Sequence, residues 1–304
     1  MFPGVKNLTA RRLFFCLVTI LIAACQAQPA PAAVSPPPDP TTTPTPIPTA
    51  TSTAVPAPSP MPSPTARLGC PDAHGSVSPF EVKEKGFDKA MDVLVYLPPC
   101  YSASYPGGYP VLYMIHGQSF TNDQWVRLGV PETADADFIS GRLKPFIVVM
   151  PREEYYLEDW FESHFGDNLA AGLVPWVDGH FHTCSQRTCR AIGGLSRGAT
   201  WAVVLGLTYW QLFGTIGAHS LPDSPYTEAS TRDRFWAMRD QPYPRLWIDI
   251  GEIDGLRSGA EKFKGYLEKY KIPFDWHLNP GSHNEDYWRA HVPEYLMFYG
   301  QAWN

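Results

Sequence analysis

The sequence predicts an α/β domain built on a mostly parallel sheet. Two observations carry that expectation. The apolar runs are short, near-continuous and rich in Val, Ile and Leu, as strands buried on both faces are. Longer mixed segments of helical character separate them, the alternation that places helices on both faces of a central sheet. Taken in order, strands are expected at 91–97, 111–115, 146–150, 191–194, 213–218, 246–250 and 274–278. The first alternates and ends at Pro98-Pro99, the second stops at His116-Gly117, and the third stops at Pro151. Helices are expected at 167–180, 199–209, 259–270 and 287–299. No internal repeat is visible. Ligand sites in such sheets lie beyond the carboxyl ends of the strands, so the residues there matter most.

Composition sets the limits of that domain. The chain has 304 residues, of which 32 are proline, and the prolines are unevenly spread. From Gln28 to Ala66, 33 of 39 residues are Pro, Thr, Ser or Ala, with Asp39 the one charge. Such a stretch lacks the apolar and aromatic residues a core needs and reads as a disordered linker. The body, 67–304, is long enough for one large α/β domain. Residues 1–66 carry a net +2, so the body carries −8 of the chain's total of −6. An acidic body without a basic run argues against nucleic-acid binding.

The N-terminus reads as an address. Lys6, Arg11 and Arg12 precede a short apolar run at 13–24, the pattern of an export signal over 1–24. Ile22-Ala23-Ala24-Cys25 resembles a bacterial lipobox, which makes Cys25 the candidate lipid-attachment residue, followed by the linker over 25–66. Membrane attachment is then expected through the lipid anchor alone. Cysteine usage agrees with export: Cys70, Cys100, Cys184 and Cys189 remain, an even number that suggests two disulfides. Three connectivities are open, and the short separation of Cys184 and Cys189 makes a local bridge the simplest, leaving Cys70 with Cys100. The pattern has no close Cys-x-x-Cys, so no metal site is expected.

The chemistry concentrates at Gly194-Leu195-Ser196-Arg197-Gly198, between a short strand and a helix of small residues. A G-x-S-x-G in that context is a nucleophile elbow: the serine sits on a strained turn and the glycines let strand and helix close on it. The helix N-terminus beside it favours negative charge. A serine hydroxyl needs a base. His283 follows a predicted strand and precedes the last helix, in a loop able to reach back over the sheet. His219, closer to Ser196 at a strand end, is the second candidate and a residue expected to line the pocket. His277 reads as a strand-face residue and His291 as a structural helix residue. For the acid, Asp254 lies in the loop after the strand 246–250, with Glu252 behind it, while Asp249 within the strand reads as a buried, hydrogen-bonded carboxylate. An oxyanion hole needs two backbone N–H groups. Arg197, after the nucleophile, supplies one; Gln118, or alternatively Ser119, supplies the other.

His116-Gly117, the elbow, Gly251-Glu252-Ile253-Asp254 and the segment from Gly281 through His283 to Arg289 together resemble the "putative esterase" family of α/β-hydrolases. That family includes esterase D and feruloyl, acetyl-xylan and enterochelin esterases, as well as mycolyltransferases. The similarity runs over nearly all of 80–304. It implies an α/β-hydrolase fold, a Ser196–His283–Asp254 triad, and a serine carboxylesterase that works through an acyl-enzyme without cofactor. Acyl transfer to another hydroxyl is the same-class alternative. A non-catalytic surface binding protein on the same fold is the different-class one. Arg197 departs from the Met or Gln often found after the serine, and Ser282 from a common glycine. Nothing in the sequence fixes the ester, whether feruloyl or acetyl polysaccharide or siderophore, although Trp125, Tyr155, Tyr156 and Trp160 are candidates to stack on a sugar or feruloyl ring.

Overall fold

Pairing among eight strands organises the domain, and their order is β1-β2-β4-β3-β5-β6-β7-β8. The computed structural model describes residues 72–154, 157–158, 162–223 and 226–304, all within the unit Pro60–Asn304. The signal, Cys25, the linker and Cys70 lie outside the described residues. β1 (Ser76–Val82) and β2 (Met91–Leu97) form an antiparallel pair, and β2 runs antiparallel to β4 (Ile147–Pro151). From there the sheet is parallel: β4 to β3 (Val111–Ile115), then β5 (Arg190–Leu195), β6 (Thr215–His219), β7 (Arg245–Gly251) and β8 (Asp275–Asn279). This is the α/β-hydrolase arrangement.

β3, β4, β5 and β6 are buried at every position, as their near-continuous apolar sequences predict. Two apolar layers cover the sheet. One contains Phe165, Trp201, Phe213, Phe235 and Phe263, and the other contains Trp125, Phe146, Trp288, Tyr295 and Tyr299. Helices α1 (Gln124–Arg127), α2 (Val130–Ile139) and α8 (Glu285–Gln301) belong to the second layer. Helices α5 (Arg197–Thr208), α6 (Glu228–Ala237) and α7 (Arg257–Lys269) contribute to the first.

The structure differs from the sequence expectation in several places, and helices α1, α2 and α6 are among the elements not expected. β1 was not anticipated. Most of its residues are exposed or half-buried, only Val82 is fully buried, and Pro79 sits in the middle, which an edge strand tolerates because one side of it has no partner. The helix expected at 167–180 starts at Phe165 and is not uniform. It runs as α3 (Phe165–Asn168), a π-helical turn (Leu169–Leu173) and α4 (Val174–His180), with Pro175 in the first turn of α4. Pro151 ends β4 as its last residue rather than stopping the strand before it. The expected local bridge is present between Cys184 and Cys189, with Cα atoms 5.7 Å apart.

Candidate active site

The elbow shows why its glycines are required. A Cβ on Gly194 would lie 2.3 Å from the Gly198 carbonyl oxygen, and one on Gly198 would lie 2.2 Å from that of Ile115. Strand β5, helix α5 and strand β3 therefore approach more closely than any side chain allows. Ser196 between them has φ +54° and ψ −122°, a conformation strained for a residue with a Cβ. Its N–H donates to the His219 carbonyl at 2.9 Å, which ties the elbow to the next strand.

Two loops converge on that hydroxyl. His283 follows β8, and Asn284 directly after it caps α8, accepting from the Tyr287 N–H at 2.9 Å. Asp254 follows β7 and has a fully buried side chain. The Ser196 hydroxyl lies 2.9 Å from His283 Nε2, and His283 Nδ1 lies 2.8 Å from Asp254 Oδ2. The other Asp254 oxygen accepts the Leu256 N–H at 2.8 Å, which fixes the carboxylate plane. The Trp288 ring stands edge-on to His283 with centroids 5.0 Å apart, and its Nε1–H donates to the Ser220 hydroxyl. Glu252, the second acid candidate, is exposed and enters the site only through its backbone, donating to the Asn279 carbonyl.

A cleft of about 380 Å³ opens on Ser196 and His283 and is walled by Gln118, Phe120 and Trp288. A second, of about 540 Å³, shares Gln118, Ser119 and Phe120 and extends to Arg152 and Glu153. The loop between them is tightly held. His116 Nδ1–H donates to the Gly117 carbonyl at 2.7 Å, and the Gly117 N–H donates to Gln124 Oε1 at 2.9 Å. Gln124, fully buried, donates in turn to Glu285 on α8, which also accepts two bonds from Arg127 Nη1 while Arg127 Nε donates to Asp123. The loop at 116–120 and the His283 loop are thus braced against each other. Burial holds the His116 imidazole well below its usual range, down to about 4, so it is neutral.

His219 does not line the pocket. It is fully buried, with Nδ1 2.6 Å from Asp249 Oδ1 and Nε2 2.9 Å from the Tyr299 hydroxyl. Asp249 is the buried, hydrogen-bonded carboxylate the strand pattern suggested: it also accepts from the Tyr287 and Tyr295 hydroxyls and from Trp247 Nε1. Burial alone would raise its pKa, but His219 and the hydroxyls outweigh that and hold it below the ordinary carboxylate range. Trp125 is no surface platform either. It is fully buried and donates to the Ile115 carbonyl. Tyr155, Tyr156 and Trp160 lie outside the described residues. The sequence reading missed Gln124 and Glu153, whose roles depend on partners far along the chain. A polar side chain at Arg197, where the helix otherwise begins with small residues, was the one visible signal for Glu153.

The sheet order, the elbow and the serine–histidine–carboxylate line together define an α/β-hydrolase. The family model described as "Putative esterase" matches residues 85–299, and the chain belongs to that family. Among curated proteins it is 29% identical to Esterase Rv1288 of Mycobacterium tuberculosis, over 67% of this chain and 54% of that one. It is 30% identical to an endo-1,4-beta-xylanase/feruloyl esterase of Xylanibacter ruminicola, over 47% of this chain and 21% of that one. The chain thus spans about half the length of the mycobacterial relative. Among solved structures, a ferulic acid esterase from Anaeromyces mucronatus in complex with ferulic acid aligns with a TM-score of 0.66 at 20% identity. That alignment covers 80% of this chain and 96% of the other. An S-formylglutathione hydrolase from Staphylococcus aureus aligns with a TM-score of 0.61 at 17% identity, over 74% and 99%.

Proposed function

We propose that the chain is a serine carboxylesterase acting through an acyl-enzyme. The observation that carries the reading is the continuous line from Ser196 Oγ through His283 to Asp254, at 2.9 and 2.8 Å. His283 Nε2 takes the hydroxyl proton as Ser196 Oγ attacks the ester carbonyl, and the new C–O bond makes a tetrahedral oxyanion. Asp254 keeps the other imidazole proton on Nδ1 and stabilises the imidazolium. The Gln118 and Arg197 N–H groups receive the oxyanion. As the carbonyl re-forms, the alcohol leaves with the proton from His283. Water then repeats the sequence on the acyl-enzyme and releases the acid.

The acyl class is proposed from the relatives that carry feruloyl esterase in their names, so feruloyl and acetyl esters are the first substrates to assay. Export and lipid attachment at Cys25 are proposed from the sequence. The Cys184–Cys189 bridge supports an oxidising compartment. The test is hydrolysis of p-nitrophenyl acetate together with labelling by a fluorophosphonate. Ser196→Ala should lose both, with turnover down at least ~10³-fold and the fold intact. His283→Ala should do nearly the same. Labelling that persists in Ser196→Ala would move the nucleophile elsewhere. Asp254→Asn should cost more than Glu252→Gln, and the reverse order would transfer the acid to Glu252.

A further inference from the structure

The Arg197 guanidinium is bonded to the buried Glu153 carboxylate. Its Nε lies 3.0 and 2.9 Å from the two Glu153 carboxylate oxygens, and Nη2 lies 2.6 Å from Oε1. Nη2 also donates to the Glu158 carbonyl at 3.1 Å. The two side chains are 8% and 0% exposed. An ion pair buried this deeply gains little stability over an apolar pair of the same volume, so stability is a weak account of it.

The bonding continues beyond Glu153. Its N–H donates to His116 Nε2 at 2.9 Å, which makes Nε2 the acceptor and puts the ring proton on Nδ1. That proton goes to the Gly117 carbonyl. A trans peptide unit is planar, with its C=O and its N–H pointing in opposite directions. The Gly117 carbonyl and the Gln118 N–H share one such plane. The bond from His116 therefore sets the direction of the Gln118 N–H, while Gln124 holds the preceding N–H.

We propose that Arg197, Glu153 and His116 form a positioning relay that keeps the two arms of the oxyanion hole in register, an inference that rests on Ser196 being the nucleophile. One end of the relay is the residue whose own N–H is the second donor. The other is the peptide plane that bears the first. The guanidinium fork fixes Glu153, Glu153 fixes the imidazole, and the imidazole fixes the plane. Donors aimed before charge develops need no reorganisation during the reaction, and that is where such groups contribute most.

The test uses the double variant Arg197→Met with Glu153→Leu, which removes both charges and strands neither. Glu153→Gln, nearly isosteric and with its N–H retained, serves if the double variant fails to fold. Native-state amide exchange over 116–119 reads the loop whether or not the enzyme turns over. It should be faster by roughly tenfold or more in the double variant, with β5–β7 still protected. With p-nitrophenyl acetate, kcat should fall about 10- to 100-fold, with KM changed by no more than about twofold. Glu153→Gln should shift both readouts in the same direction by less. Unchanged exchange over 116–119 overturns the relay. A lower melting temperature with undiminished kcat in the folded enzyme overturns it too, since that is what a merely structural pair would show. If the wild type proves inactive on every ester while the double variant still exchanges faster, the bracing of 116–119 by Arg197, Glu153 and His116 stands, but the hydrolase reading falls and the oxyanion-hole role falls with it.

Discussion

His116 shows how one buried residue links pH to the site. Its folded pKa of about 4 lies below the ordinary 6.5, because burial penalises the charged ring. The unfolded chain therefore binds the proton more readily than the folded one. The stability this contributes is fully present above pH 6.5 and is lost as pH falls toward 4. At about 1.4 kcal/mol per unit, the loss reaches roughly 3 kcal/mol. Thermal melts between pH 7 and 4 should show a falling midpoint, and His116→Asn should flatten the slope over that interval. Carboxylates titrate mainly lower, so an unchanged slope in the variant would remove His116 from the account. At this scale the sequence was informative about Ser196, Asp254 and His283, because each occupies a strand-end loop whose neighbours announce it. It misled on His219, whose partners Asp249 and Tyr299 are 30 and 80 residues away. A strand-end histidine looks the same whether it faces a cleft or a buried carboxylate.

Among the elements, α8 does the most to shape the site. It brings the Tyr287 and Tyr295 hydroxyls to the same Asp249 oxygen, both at 2.8 Å, and lays the Tyr295 ring on His219 with centroids 3.6 Å apart. Hydrogen bonds to an ionised, buried acceptor are worth about 1.5–3 kcal/mol, so Tyr295→Phe should lower stability by that amount in urea titrations. Ser196 and His283 stay in place in that variant, and its kcat should remain close to wild type. The elbow is less forgiving. Gly198→Ala would push a methyl into the Ile115 carbonyl, and we expect it to be inactive and to melt well below wild type. The elements that pattern could reveal were the central strands and amphipathic helices. β1 escaped because its inward face, Ser78, Phe80 and Val82, carries only two apolar residues and a proline interrupts the strand. The π-helical turn at Leu169–Leu173 escaped because it keeps the same apolar character as the helix around it.

Over the whole domain, cross-links and attachment are separable from chemistry. The Cys184–Cys189 bridge closes a short loop, so the chain-entropy argument gives it about 2 kcal/mol. Replacing both cysteines with serine should lower stability by no more than that and leave esterase activity at room temperature intact. Cys25→Ser should abolish detergent partitioning without touching hydrolysis, and intact-mass analysis of the mature N-terminus decides whether acylation occurs. The parallel arrangement of the sheet was legible because α/β alternation constrains topology tightly. The bracing of one loop by another was not, since it joins Gln124 to Glu285, 161 residues apart. The same separation has a consequence for timing. Ser196 leaves the ribosome 87 residues ahead of His283, and Asp254 comes between them. While β8 and α8 are still unmade or undocked, the elbow holds a hydroxyl with no base beside it. On the proposed mechanism, nascent and partly assembled chains would be chemically silent until β8 and α8 dock, and ester cleavage would report that docking.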